Sequence, residues 1–166
     1  MPDVLAPDLR VVFCGINPSL YSAATGHHFA RPGNRFWPAL HRSGWTSRLL
    51  SPGEGQLLLD AGCGLTNLVS RATAAAAELE PRELEAGGRR LRRMVRRLRP
   101  GCLAFLGIGA YRTAFGQPSV KPGQQRLRLG DATVWVLPNP SGLNAHYQLP
   151  DFARLFGELR RACPPR

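Results

Sequence analysis

Apolar runs recur along the chain with room for a helix between each pair. "LRVVFCGI" (Leu9 to Ile16), "CLAFLGI" (Cys102 to Ile108) and "ATVWVLPN" (Ala132 to Asn139) are rich in β-branched and aromatic residues, and each runs into Gly, Asn or Pro. Such punctuation marks the end of a strand. "CGLTNLV" (Cys63 to Val69) is a weaker fourth. Near-continuous apolar strands are covered on both faces, and intervening helices imply parallel crossovers. The pattern predicts an α/β fold: a three-layer sandwich around a central, mainly parallel four-stranded sheet.

Polar and apolar positions alternate differently in "PRELEAGGRRLRRMVRRLRP" (Pro81 to Pro100), where Leu84, Leu91, Met94, Val95 and Leu98 fall on one helical face. Pro at the start, acids Glu83 and Glu85 early and basic residues late suit a helix dipole. Paired Gly87 and Gly88 should weaken or bend this helix. Further helices are expected over Asn34 to Ser43, Ala110 to Phe115 and Asp151 to Ala162. The chain shows no repeat and no dividing linker, so residues 1–166 are read as one domain with 1–8 and 163–166 as peripheral tails.

Composition changes the picture mainly through charge. The formal net charge is +11, and Lys121 is the only lysine among 22 basic residues. Arginine grips phosphate with a planar fork, so a polyanionic partner fits, although a GC-rich genome produces the same bias. Seven arginines lie in the eleven residues Arg89 to Arg99. They read either as the solvated side of an amphipathic helix or as a field that steers DNA and fades with salt. No stretch approaches the roughly 18 apolar residues of a membrane span, and the acids and prolines of "MPDVLAPDLR" are unlike a signal peptide. A cytoplasmic protein is expected. Cys14, Cys63, Cys102 and Cys163 form no metal-ligand spacing, so no metal site is expected and all four read as buried thiols.

Candidate chemistry lies beyond the strand ends, where parallel sheets gather ligands. "GINPSLYSAATGHHFARPGNRFW" follows the first strand and "LPNPSGLNAHY" the last, and both contain Asn-Pro-Ser. Singly, such a tripeptide is turn chemistry. Its repetition after two strands is the informative feature.

"GINPSLYSA", "HHFARPGNRFW" and "VLPNPSGLNAH" resemble the signature motifs of the mismatch-specific uracil-DNA glycosylases, bacterial relatives of thymine-DNA glycosylase in the uracil-DNA glycosylase superfamily. "GLTNLVSRAT", "GGRRL" and "LGIGAY" extend the likeness over roughly Leu9 to Ala162. The resemblance implies that uracil is flipped from double-stranded DNA, preferably from a G:U mismatch, and its N-glycosidic bond hydrolysed, leaving an abasic site. It implies no cofactor, no obligate protein partner, no membrane, and a monomer as the simplest state. A wobble pair is cheaper to open than a matched one, which favours mismatches.

On the same resemblance, Asn17 matches the catalytic Asn that holds a water beneath the anomeric carbon. An amide cannot act as a base near neutral pH, so slow turnover follows. Phe29 matches the aromatic that stacks on the base, and its backbone and that of Ile16 contact the pyrimidine. Ser22 lines the C5 edge, while Asn34 matches a polar position without a derived role. Leu143 matches a wedge filling the hole left by the flipped nucleotide, within a loop that includes Asn139, Ser141, Gly142 and Asn144. Where bacterial relatives often carry Arg after the wedge, this chain has Ala145 and then His146, the available substitute.

Two residues have open readings. Asn67 contacts the base or satisfies a turn. Asp60 ends a helix, or is an auxiliary acid that orients water or stabilises a cationic sugar. The superfamily's strictest uracil enzymes carry an acid in the first motif and a bulky residue that excludes thymine's methyl group; neither is visible here, though Tyr21 lies close to that position and Ala23 and Ala24 leave room, so uracil is expected first, with damaged pyrimidines such as ethenocytosine possible and thymine poor or absent. The rivals are a noncatalytic DNA-damage binder on the same fold and a nucleotide-binding module suggested by "FLGIGAYRTA", which lacks the third Gly of a dinucleotide fingerprint.

Overall fold

Side chains of the first apolar run alternate between two cores. In the computed structural model, which describes residues 1–166, this run forms β1 (Val11–Gly15), buried throughout. Val11 and Phe13 join one hydrophobic core, and Val12 and Cys14 join the other. A strand fully buried on both faces must lie in the middle of a covered sheet. The other runs form β2 (Cys63–Asn67), β3 (Cys102–Leu106) and β5 (Ala132–Leu137), all parallel to β1.

The sheet has five strands rather than four, in the order β2-β1-β3-β5-β4. The added strand, β4 (Gly123–Leu129), pairs antiparallel with β5 at the edge. Its sequence, GQQRLRL, alternates with arginines facing out and so presents no apolar run. Polar, charged edges of this kind resist pairing with other chains.

Helices α2 (Phe36–Arg42) and α5 (Leu149–Ala162) cover the face that buries Phe13, Phe36, Phe152 and Phe156. Helices α3 (Pro81–Leu98) and α4 (Ile108–Phe115) cover the face that buries Leu91, Val95, Phe105 and Tyr111. The result is the expected three-layer sandwich. A short helix, α1 (Leu20–Thr25), interrupts the long segment after β1, with Ser19 accepting the Ser22 N–H as N-cap and Gly26 left-handed at its end.

Helix α3 is continuous through Gly87 and Gly88, which serve close approach rather than bending. A Cβ at Gly87 would stand 2.3 Å from the Leu68 carbonyl oxygen, and one at Gly88 would stand 2.8 Å from that of Ala114. Both ends of the chain also join the body of the fold. Val4 is buried and bridges to Leu65, and Asp3 accepts from the Thr66 hydroxyl. Cys163 is buried and bonded to Cys102, so these two are a disulfide and only Cys14 and Cys63 are the buried thiols expected. No helix is long and apolar enough to cross a membrane.

Candidate active site

Strands β1, β2 and β5 end on one side of the sheet, and a cavity of about 360 Å³ opens there. That volume lies in the range of small-ligand sites. Ile16 and Asn17 follow β1, Asn67 closes β2, and Asn139 follows β5, and all four line the cavity. Ser22, Phe29 and Asn34 come from the segment after β1, and Ser141, Gly142, Leu143 and Asn144 from the loop after β5.

Asn17 is fixed by both amide hydrogens. Its Nδ2 donates to the Arg71 carbonyl (2.9 Å) and to Thr73 Oγ1 (2.8 Å), and the Thr73 hydroxyl donates onward to the Ala75 carbonyl (2.8 Å). A flipped amide would set oxygen against a carbonyl oxygen, so the orientation is determined. Oδ1 has no partner within the chain and is free to accept a hydrogen bond from a molecule in the cavity. The segment that holds it is pinned by a bidentate pair, Arg71 to Glu83, at 2.8 and 2.9 Å. That pair and the Glu80 N–H hold the Glu83 carboxyl down at about 2.

Two of the lining side chains, Asn67 and Phe29, pack against Gly15 at the end of β1. A Cβ there would meet Asn67 Oδ1 at 2.6 Å and the Phe29 ring at 3.2 Å, so only glycine lets the amide and the ring lie against the strand end. Phe29 has a positive φ of 52°, a sparsely populated conformation that recurs at functional sites. Its ring stacks on Phe36, with centroids 4.2 Å apart and planes 26° from parallel. The Asn67 side chain is buried and makes no hydrogen bond within the chain, which leaves its donor and acceptor for a ligand. Ser22 is buried and its Oγ accepts from the Ala30 N–H (3.1 Å), holding the Phe29 segment.

Leu143 is 65% exposed at the tip of its loop. Ser141 N–H donates to Asn139 Oδ1, Leu143 N–H to Ser141 Oγ, Asn144 Nδ2 to the Asn139 carbonyl and His146 N–H to Asn144 Oδ1. The polar side chains of the motif therefore shape the loop, and Leu143 is what it presents. Gly142 is required where the loop meets its neighbour: a Cβ would be 3.0 Å from the Gly33 carbonyl.

Asp60 and His146 stand apart. Asp60 is exposed in the 3₁₀ segment Pro52–Ala61, which leads into the opposite end of β2, about 13 Å along the strand from Asn67. It lines no part of the cavity and cannot assist Asn17 directly. His146 is exposed and does not line the cavity. Thr73 and Arg31 also line the cavity; both lie within the stretches that carry the resemblance, although nothing in those stretches marks either as a site residue. No group of three or more metal-ligating side chains forms a metal site.

An amide with a free oxygen, an aromatic ring and a buried Asn side chain line one cavity beyond the carboxyl ends of a parallel sheet, the place where α/β proteins hold their ligands. The family described as the uracil DNA glycosylase superfamily matches residues 2–160. The chain belongs to that superfamily, whose members are hydrolases acting on DNA.

Proposed function

We propose that the protein is a mismatch-directed uracil-DNA glycosylase of the type related to thymine-DNA glycosylase. It takes uracil opposite guanine from double-stranded DNA and leaves an abasic site. The observation that carries this reading is Asn17, a residue of the cavity lining: both of its N–H bonds are committed, and its Oδ1 has no partner within the chain. An oxygen so held orients a water by accepting its hydrogen bond, while the water's own lone pair is left to attack.

The base stacks on Phe29 and meets Asn67 at its polar edge. As the glycosidic bond stretches, the sugar gains oxocarbenium character and the uracil departs as an anion, so the water need not be deprotonated early. Water then adds at the anomeric carbon and loses its proton to solvent. Asn17 contributes position and not basicity, which sets a low ceiling on the rate. Leu143 enters the space vacated in the stack. Damaged pyrimidines are expected as substrates after uracil, and thymine as a poor one. A monomer acting without a cofactor is the simplest working unit.

A duplex carrying one G:U pair, incubated with excess protein and then treated with alkali, should break at the uracil. Asn17→Ala should slow single-turnover cleavage about a hundredfold, the scale on which catalytic positioning acts. Tight binding without any strand break would instead identify a DNA-damage binder.

A further inference from the structure

The hydrogen bonds that tie the loop presenting Leu143 to the segment after β1 all come from one residue, Arg35. Its internal hydrogen bonds, Asn139 to Ser141, Ser141 to Leu143 and Asn144 to His146, are all local and would survive if the loop swung as a body. Arg35, at the N-terminus of α2, prevents this. Its backbone N–H donates to the Pro140 carbonyl (2.9 Å). Its guanidinium donates to the carbonyls of Tyr147, Ser141 and Asn144, the last at 2.9 Å. The guanidinium also lies 5.0 Å over the Phe152 ring.

Arg35 takes part in none of the ion pairs of the fold. Its charge is met by three carbonyl dipoles spaced along the wedge loop. A planar fork with donors on two nitrogens reaches all three at once, which the single ammonium of a lysine cannot do. The neighbouring turn adds a steric stop, since Gly142 abuts the Gly33 carbonyl.

We propose that Arg35 is a positioning residue that holds Leu143 ready for insertion, so that the base-binding segment and the wedge loop meet DNA as one rigid body. The inference rests on the glycosylase reading above. Inserting an apolar side chain into a base stack costs less free energy when the loop does not first have to be ordered. Arg35 therefore acts on the flipping step and leaves bond cleavage untouched.

The test compares single-turnover cleavage of a G:U duplex with cleavage of the same duplex carrying uracil opposite an abasic-site analogue, where no base pair opposes flipping. Arg35→Gln should lose about a hundredfold on G:U and less than about fivefold on the unpaired uracil. Leu143→Ala should show the same split, and the double variant should be no slower than the slower single one, because the two act in one step. Equal losses on both substrates, or losses that multiply, would overturn the proposal. If Arg35→Gln does not fold, Arg35→Lys keeps the charge over Phe152 and should show the same split; a wild-type rate on G:U would overturn the clamp. Hydrogen exchange of the amides from Leu143 to Tyr147 should also quicken in Arg35→Lys while that of α2 and β5 stays unchanged. Unchanged exchange in the loop sinks the clamp, whereas a wild-type protein that cleaves neither duplex sinks the glycosylase reading and leaves the exchange measurement to decide on Arg35.

Discussion

Thr73 is the smallest part of the site with a measurable consequence. Its hydroxyl accepts one of the two hydrogen bonds that orient the Asn17 amide. Thr73→Val keeps the shape and removes the acceptor, leaving an N–H of Asn17 unpaired. A loss of about 1 kcal/mol, or roughly fivefold in single-turnover rate, is expected with little change in substrate affinity. Burial lowers the pKa of His28 from its ordinary value of 6.5, against the opposing pull of its hydrogen bond to the Pro2 carbonyl. The unfolded chain then takes up a proton that the folded one resists, so this contribution is complete above about pH 6.5 and declines as the pH falls below it. Urea midpoints measured at about pH 5 and pH 7 should differ, and His28→Gln should narrow the gap. Asn17, Phe29 and Leu143 were legible as candidates because they sit in short motifs whose order along the chain is itself informative, and the fold brings all three to one cavity. Thr73 and Arg35 lie inside the stretches "GLTNLVSRAT" and "HHFARPGNRFW", yet their contacts were not legible, because each reaches an amide or a backbone carbonyl more than fifty residues away and no local pattern records such a contact.

Among the elements, α3 best separates what periodicity reveals from what it hides. Its apolar face was legible residue by residue, and the helix runs where Pro81 and the late arginines place it. Its glycine pair was misread, since propensity sees only the cost of glycine and not the Leu68 and Ala114 carbonyls against which the helix rests. Gly87→Ala should therefore destabilise by about 2 kcal/mol despite a propensity gain of about 1 kcal/mol, because a backbone carbonyl at the clash point has nowhere to go. Gly109→Ala in α4, with open space around it, should instead be neutral or stabilising by up to about 1 kcal/mol. Denaturant midpoints would distinguish the two. The arginine run divides in the same way: Arg90 donates to the carbonyls of Asn67 and Leu68 and Arg92 lies over Phe115, so these two brace the fold, while Arg89, Arg93, Arg96 and Arg97 face solvent. Strand β4 escaped notice because a half-exposed edge strand lacks the apolar run that announced the others.

For the whole molecule, the layers and the parallel strands followed from buried runs alone, but the covalent link between Cys102 and Cys163 did not. A separation of 61 residues leaves no motif, and cysteine pairing cannot be deduced from spacing. By loop-closure entropy a link of that span contributes about 4 kcal/mol, so a reductant should lower Tm by about 10 °C. Cys102→Ala should start from the lower Tm and ignore the reductant. The same bond closes β3, α4, β4, β5, the Leu143 loop and α5 into a ring. A protease that cuts the exposed turn between α4 and β4 consequently opens the ring without releasing a piece. Such a nicked protein would run as one band on a denaturing gel and fall into two only when the gel is reducing.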